Sequence, residues 1–511
     1  MKKFVQLLVV AIVGTTGNIY AQNGTYAGDA LRFSRTDYGS SARFKGLGNA
    51  QISLGGDISS IGGNPAGLGM FTRSEFSVTP EFNNTKSDAS FLGQNTKDTK
   101  NRLNLNQAAV VWYNPVVRPK GSNLNKGVLS VVWGIGFNRN NDFGGNFSYA
   151  GTNNNSSMAD AFAERANGVR EPDLAGAPGM AFDNYLIDQK SGDNLSYVPA
   201  TSQTNKQSKS ESRVGSTSEL NFSGAINISN QLYLGASIGF VNMRYINDGV
   251  YTEQGTIINT LAPGAPVPAR PNIQVGRNYD LAYSTSQHTT GSGINGRIGI
   301  IYKPINEVRL GATFQAPTWM HVEEDYAEVL NTRFSQGGAV VDTRLNNVYN
   351  SNFNYNLRTP YKASFGGSVI IAQNGLISAD IDYVDYKSTK LSVSDGYSAL
   401  IGENNDYIKQ NYKSAVNYRI GGEYRIDNFS LRAGYGLNGT PYKSDDKNVF
   451  DVKYYSGGLG YRVNQYYVDV AYQRTETTNT FAPYELNNFS EPIATAKVAR
   501  NNVFLTVGVK F

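Results

Sequence analysis

The feature that most constrains how this chain folds is an alternation of apolar and polar residues, which recurs from residue 74 to the C-terminus. One such segment, residues 308–315, reads VRLGATFQ. Successive side chains of a β-strand point to opposite faces, so each segment presents one apolar and one polar face. Such strands occur in soluble β-sandwiches and in membrane barrels, whose apolar face meets lipid.

About fourteen segments show this alternation, an even number as expected for a bacterial outer-membrane barrel. Short turns alternate with long polar connections, which is the asymmetry of such barrels, and a sandwich would not need so many long strands in succession. We therefore predict an all-β fold, a transmembrane antiparallel β-barrel of about 14 strands over residues 74–511. The predicted strands are centred on residues 74–84, 103–113, 127–139, 216–228, 232–245, 284–302, 308–316, 355–371, 376–386, 415–425, 429–436, 453–461, 466–473 and 498–511.

The long polar connections are predicted to be loops on the outer side of the membrane. The largest covers residues 140–215, and we predict short helices within it at residues 158–167 and 180–189. The other predicted outer loops are residues 85–102, 246–277, 317–354, 387–414, 437–452 and 474–497.

The composition agrees with a single large barrel. Charged residues make up 17% of the 511 residues, while glycine (54) and tyrosine (33) are abundant. The net charge of +5 is small for this length and gives no reason to expect a nucleic-acid partner. The chain has no cysteine, which excludes disulfides, thiolate metal sites and a lipid-modified cysteine.

Residues 1–21 are predicted to be a secretory signal peptide. Lys2 and Lys3 precede an apolar stretch at residues 4–13, and Ala21 is a plausible cleavage position. This apolar stretch is too short to span a membrane as a helix, and no later run approaches the roughly 18 apolar residues that a span needs. We therefore expect export and insertion into the outer membrane of a Gram-negative bacterium.

Residues 54–71 (LGGDISSIGGNPAGLGMF) lie between the signal peptide and the first predicted strand. The glycines and the proline rule out a regular helix or an inner strand, and Asn64-Pro65 is a turn signal. The apolar residues of this stretch nevertheless suit a packed segment. We interpret it as a compact, turn-rich plug; the alternative is an ordinary surface Ω-loop.

Residues 41–71 resemble the N-terminal hatch of the FadL/TodX family of outer-membrane transporters for hydrophobic compounds, and look most like its Bacteroidetes branch. The matching core is Gly56-Asp57 followed by Asn64-Pro65-Ala66-Gly67. Residues 296–316, 357–367 and 418–424 also resemble strands of the family. The resemblance implies a hatch of residues 22–73 inside the lumen of the barrel.

The C-terminal sequence NNVFLTVGVKF places apolar residues on one face of the last strand and ends in Phe511. A terminal aromatic residue on such a strand resembles the signal read by the outer-membrane barrel assembly machinery. We expect this machinery, outer-membrane lipids and lipopolysaccharide as partners of a monomeric protein that carries no cofactor.

The resemblance implies passive uptake of hydrophobic small molecules, such as long-chain fatty acids or aromatic hydrocarbons. It also implies that residues 22–31 line the ligand pocket. A carboxylate ligand would need a cation, and the nearest basic residues are Arg32, Arg35, Arg43 and Lys45. Each of them could instead be paired with an acidic residue of the lumen. Ligand could leave sideways into the membrane or down the lumen.

Three further motifs match those of enzymes or metal sites. Residues 235–239 fit G-x-S-x-G and residues 291–296 fit G-x-G-x-x-G, but both lie in or lead into strands rather than helices. Residues 323–325 form an acidic run that could bind a divalent cation from an outer loop, but a solvated charge cluster explains it better. We predict that the protein is not an enzyme. Alternative functions are a structural or adhesive barrel with a closed lumen, a haemin-binding receptor, and a hydrolase that uses Ser237 with His288 or His321.

Overall fold

The computed structural model describes residues 26–121, 123–190, 192–258, 275–346, 348–394 and 398–511. The predicted signal peptide, residues 1–21, lies outside the described residues. From residue 75 onward the chain forms a closed antiparallel barrel of 14 strands, as the sequence predicted. The last strand pairs with the first, for example at Val78 and Val507, which closes the sheet into a barrel.

Each of the predicted segments corresponds to one barrel strand. Five short breaks interrupt four of the strands, and three of these breaks contain a proline or a glycine. The strands are β1 Glu75–Phe91, β2 Gln94–Pro115, β3 Val128–Asp142 with Gly145–Asn153, β4 Asn205–Ile228, β5 Leu232–Thr256, β6 Asn278–Tyr302, β7 Val308–Gln315 with Trp319–Gln336, β8 Ala339–Leu345 with Tyr349–Arg358 and Lys362–Ile371, β9 Gly375–Asp385 with Lys390–Ser392, β10 Ser414–Ile426, β11 Phe429–Asn438, β12 Val452–Val463, β13 Tyr466–Phe481 and β14 Ala494–Lys510.

Burial along these strands is inverted relative to a soluble protein. On β6, Ile298 is 62% exposed on the outside of the barrel, whereas the neighbouring Arg297 is 5% exposed and points into the lumen. Leu310 and Phe365 are likewise exposed, while Glu423 is buried. An outward apolar face and an inward polar face suit a wall between lipid and a polar interior.

The predicted outer loops are shorter than expected, because the strands continue into them. The predicted loop of residues 85–102 is wrong: β1 and β2 stay paired to a tight turn next to Phe91 and Gln94. Beyond the membrane both faces of a strand are polar, so the apolar alternation ends. The backbone ladder does not depend on that alternation and continues. Strands β5 and β7 also continue, to Thr256 and Gln336, and there Tyr251, Leu330 and Phe334 pack in one apolar cluster with the outer-loop helices.

The loop between β3 and β4 contains two helices and a hairpin. Helix α3, Met158–Ala166, lies where a helix was predicted and begins with a capping box between Ser157 and Asp160. The second predicted helix, residues 180–189, is only partly right: the helix is Gly176–Asp183, followed by the hairpin Ile187–Lys190 and Asp193–Pro199. Of the helices in the described ranges, none is both long and apolar enough to cross a membrane.

The N-terminal region lies inside the barrel. It comprises α1 Tyr26–Ser34, α2 Ala42–Gly46 and the two 3₁₀ helices Ile58–Ile61 and Pro65–Met70. Phe44, Leu47 and Leu54 of this region pack against Leu376 of β9, and all except Leu376 are fully buried. We call residues 41–71 the hatch. The outer loop between β9 and β10 contributes a further helix, Ser398–Asn411, which the sequence did not predict.

The outward apolar face can be tested with a charged substitution. We expect Ile298→Lys to lower the free energy of unfolding in lipid vesicles by about 2–4 kcal/mol, because the ammonium must leave water for lipid. The matched control is Ile305→Lys, since Ile305 is similarly exposed (57%) but lies in the short turn after β6. Denaturant titration followed by tryptophan fluorescence gives both values. Equal losses for the two variants would show that Ile298 does not face lipid.

Candidate functional site

The candidate functional site is a cavity of about 380 Å³ in the lumen, lined by α1, the upper part of the hatch and the inner face of the wall. Its lining is of mixed character. Apolar and aromatic side chains on several elements include Leu31, Phe143, Tyr245, Met320 and Tyr412, and charged side chains lie among them. A cavity with mostly apolar walls and a few polar groups is the usual form of a small-molecule site.

Asn64 joins the hatch to the wall. Its Oδ1 accepts a hydrogen bond from the backbone N–H of Ala66 (3.1 Å), which caps the 3₁₀ helix Pro65–Met70. Its Nδ2 donates to the carbonyl of Ile52 within the hatch (2.7 Å) and to that of Ile300 on β6 (3.2 Å). Through its oxygen and its nitrogen, the Asn64 amide thus connects the Asn-Pro-Ala turn to the rest of the hatch and to the wall.

Asp57 organises the turn before the first 3₁₀ helix. Its carboxylate accepts hydrogen bonds from the backbone N–H of Ser59 (3.0 Å) and the hydroxyl of Ser41 (3.0 Å). Gly56, with a φ of 63°, places its N–H 2.9 Å from the carbonyl of Gly67. A Cβ on Gly67 would lie 2.4 Å from the hydroxyl of Ser60, so only glycine fits there. The hatch motif therefore consists mainly of backbone turns closed on one another.

The hatch lies directly on glycines of the wall, which the sequence analysis did not identify as part of the site. A Cβ would lie 1.9 Å from Asn64 Oδ1 at Gly299, 2.3 Å from the Ile52 carbonyl at Gly311, and 2.2 Å from Gly48 N at Gly434. The signal that could have revealed them is glycine at inward, otherwise polar positions of alternating strands.

The residues that match enzyme motifs serve the barrel instead. A Cβ on Gly235 would lie 2.4 Å from the backbone N of Ala66, so this glycine of the G-x-S-x-G match admits the hatch. Ser237 lies within β5, and residues 291–296 lie within β6; neither match is at a strand-to-helix turn. Glu323 and Glu324 alternate between the outer and inner faces of β7. Over the described ranges no group of three potential metal ligands occurs.

Both histidines lie on the outer face of the barrel. His321 is 51% exposed, and its Nδ1 lies 3.0 Å from the side-chain oxygen of Asn356. His288 is exposed on β6, beside the position of Asp325 on β7. Neither imidazole can therefore reach a ligand in the lumen.

Three of the four basic residues predicted to meet a carboxylate are already paired. Arg43 Nε lies 3.0 Å from a carboxylate oxygen of Glu423, and Arg32 pairs with Asp29. Lys45 Nζ lies 3.4 Å from a carboxylate oxygen of Asp37. Burial opposes the charge of Asp37, but the nearby Lys45 ammonium outweighs it and holds the pKa of this carboxyl below its usual value.

Arg35 differs from the other three. It follows α1 and lines the cavity, and no carboxylate among the described residues lies within ion-pair distance of its guanidinium. Its backbone is fixed, because its carbonyl accepts a hydrogen bond from Asn141 Nδ2 (2.7 Å) on β3. Arg35 is therefore the predicted basic residue that remains available to an anionic group in the cavity.

The wall is interrupted beside the cavity. Strands β2 and β3 pair from Pro115 and Ser130 up to Gln107 and Asn138, and beyond this point the upper segment of β3 pairs only with β4. Side chains cross this break: Arg102 lies 3.2 Å from the Asp142 carboxylate. The buried Phe143 lies at the break and lines the cavity, so the cavity reaches the part of the wall where the ladder ends.

Phe511 lies at the end of β14, where its backbone N–H donates to the Ser74 carbonyl (2.9 Å) and its side chain is 64% exposed. This position leaves the ring accessible at the closing seam of the barrel.

The close contact of wall and hatch is testable at Gly299. We expect Gly299→Ala to displace the hatch and raise the ion conductance of the protein in planar bilayers several-fold, because the new methyl group would overlap Asn64. In the control, Gly367→Ala, the new methyl group meets only Leu310 Cδ2 at 3.8 Å and should leave conductance unchanged. Unchanged conductance of a folded Gly299→Ala barrel would contradict the assignment.

Comparison with known proteins agrees with this architecture. The family model described as outer membrane protein transport protein (OMPP1/FadL/TodX) matches residues 195–509. None of the curated proteins compared with the chain matches it. A Pseudomonas aeruginosa FadL homologue has a similar crystal structure, with a TM-score of 0.54 at 12% identity over 92% of this chain and 98% of that one. The Pseudomonas putida toluene transporter TodX gives a TM-score of 0.51 at 12% identity, over 93% and 99%.

At this identity the structural likeness shows the fold alone, whereas the family model covers more than half of the chain. Placement in the Bacteroidetes branch stays a prediction. The chain belongs to the FadL/TodX family of outer-membrane transport proteins for hydrophobic compounds.

Proposed function

We propose that this barrel mediates passive uptake of a hydrophobic small molecule, and that a long-chain carboxylic acid is the ligand class that suits its lumen best. In this proposal residues 22–73 form the plug and residues 74–511 the barrel. The observation that carries the proposal is a cavity of mixed apolar and charged lining in which Arg35 has no acidic partner in reach among the described residues. An acyl chain would pack on the apolar wall while its carboxylate meets the guanidinium.

The partly open wall supports a sideways exit into the membrane. An acyl chain that leaves between β2 and β3 passes Phe143 and reaches lipid at the outer edge of the apolar belt, beside the outward-facing Leu103 and Leu105, which is favourable for an apolar group. The hatch below the cavity blocks the straight path to the periplasm. Arg102 and Asp142, which bridge the opening, would then separate as the ligand passes.

A neutral aromatic hydrocarbon is the second candidate. TodX, which shares the fold, is named a toluene transporter. The cavity also has several tyrosines on its outer side, Tyr407, Tyr412 and Tyr442, whose rings contact one another. Such a ligand would not need Arg35, so the two candidates differ in their dependence on this residue.

A structural or adhesive barrel, a haemin receptor and a hydrolase fit less well. A closed structural barrel needs no cavity beside a break in its wall. Haemin ligation by histidine or a Ser-His hydrolase would require an imidazole in the lumen, but both histidines lie on the outer face. The predicted partners, namely outer-membrane lipids, lipopolysaccharide and the assembly machinery that would read Phe511, belong to the same proposal.

Uptake by purified protein in liposomes tests the proposal. Radiolabelled oleate and toluene are supplied outside the vesicles, and saturable uptake above that of empty liposomes is expected for at least one of them. Absence of uptake by a folded protein for both compounds would contradict a transport function.

The role of Arg35 is tested with Arg35→Gln. We expect the apparent affinity for oleate to fall about tenfold, equivalent to about 1.4 kcal/mol for a lost charge-assisted hydrogen bond, while toluene uptake is unchanged. The control is Arg474→Gln, because Arg474 is exposed and pairs with Glu476 away from the cavity. Equal oleate affinity in Arg35→Gln and wild type would favour the neutral hydrocarbon.

A further inference from the structure

The outer helix that the sequence did not predict, Ser398–Asn411, contacts the N-terminal segment inside the lumen; we call it α5. Asn404 Oδ1 accepts a hydrogen bond from the backbone N–H of Ala27 (2.9 Å), and the hydroxyl of Tyr412 donates to the Ala27 carbonyl (3.0 Å). Both hydrogen bonds are buried. One residue of α1 is therefore held at both of its backbone polar groups by the loop between β9 and β10.

The hydrogen bond to Asn404 gives the Ala27 N–H a partner that α1 itself does not provide. Ala27 lies in the first turn of α1, where backbone N–H groups have no partner within the helix. Asn404 supplies the oxygen that a capping residue normally supplies from the same helix. Its own Nδ2 donates to the Leu400 carbonyl (2.8 Å) within α5, which fixes the orientation of the amide.

Packing reinforces the two hydrogen bonds. Ile401, Asn404 and Ile408 form the buried face of α5, at the spacing expected for one side of a helix. Ile401 and Ile408 belong to the same apolar cluster as Leu31 and Phe33 of α1. The opposite side of α5, with Glu403 and Lys409, is exposed to solvent. The helix thus has one face on α1 and one face toward the outside.

The residue next to Asn404 fastens α5 to the wall. Asn405 Oδ1 accepts a hydrogen bond from the N–H of Leu391 (2.9 Å), and its Nδ2 donates to the Leu391 carbonyl (2.9 Å). Leu391 belongs to the short outer segment of β9. The two consecutive asparagines therefore bind different elements. Asn404 binds α1 in the lumen, and Asn405 binds β9 of the barrel wall.

We propose that α5 is a latch, in which Asn404 and Tyr412 are positioning residues that hold α1 in the lumen and so set how readily the cavity becomes accessible. The proposal rests on the proposed function, because the cavity beside α1 is the proposed ligand site. Other contacts also hold α1. For example, Gln287 Nε2 of β6 donates a hydrogen bond to the Asp29 carboxylate of α1 (2.8 Å). Because the other face of α5 is exposed to solvent, the latch is the contact that binding of a molecule to the outer loops can release.

Accessibility of α1 tests the latch without any ligand. The chain has no cysteine, so Ala30→Cys provides a single buried thiol on α1. In this background we expect Asn404→Ala with Tyr412→Phe to raise the rate of labelling by a membrane-impermeant maleimide at least severalfold. The matched control is Asn411→Ala, because the Asn411 side chain donates to the Tyr407 carbonyl within α5, and its backbone contact with Lys443 is kept in the variant. Heat-modifiable gel mobility checks that each barrel is folded.

A reversible cross-link tests the same contact in the opposite direction. Ala27→Cys combined with Asn404→Cys places one thiol on each side of this contact, and a short bis-thiosulfonate reagent joins the two thiols through disulfides. We expect the cross-linked protein to lose most of its oleate or toluene uptake and to regain it on reduction. The single variants serve as controls for the reagent.

The outcomes separate the latch from the transport function. Faster labelling of α1 without uptake of either compound by wild type would contradict the transport function and leave the latch supported. Labelling at the wild-type rate, or equally fast labelling in Asn411→Ala, would overturn the latch. Uptake that is unaffected by the cross-link would also overturn it.

Discussion

The structure depends on how a wide barrel satisfies the polar groups of its own lumen. Glu423 of β10 shows the solution, because its buried carboxylate is shared by Arg43 of the hatch (3.0 Å) and Arg432 of β11 (2.7 Å). Arg432 in turn reaches Asp469 of β13 (2.5 Å). Removal of one partner from such a buried network typically costs about 3–5 kcal/mol. Arg43 of the hatch is thereby one of the cations that compensate the buried negative charge of the wall.

Close backbone packing is the second half of this arrangement. Charge pairs set the orientation of the hatch, whereas glycines such as Gly311 and Gly434 let its main chain lie against the strands without intervening side chains. The Asn64 amide then bonds to carbonyls of both partners. A plug held by many short contacts with the wall fills the lower lumen, and the volume that remains is the cavity above it.

The cavity, the break in the wall and α5 lie along one path. Ligand from outside meets the outer loops, then the cavity beside α1, and then the opening between β2 and β3 next to Phe143. Each of these places departs from regular structure: a helix held by side chains from a loop, an arginine without an acidic partner in reach, and a ladder that ends early. Regular strands give the barrel its rigidity, and these departures provide the places that can move.

The sequence alone was enough to predict the strands of the membrane wall, their number and a turn-rich plug, because period-two alternation and the Asn-Pro-Ala turn involve only neighbouring residues. It overestimated the outer loops, since the ladder of β1 and β2 continues where both faces are polar. The folded barrel was needed to show that Arg43 is paired while Arg35 lines the cavity, and that Asn404 contacts Ala27, 377 residues away in the chain. Such contacts join residues from distant strands and loops, and their geometry is fixed by closure of the barrel rather than by neighbouring residues.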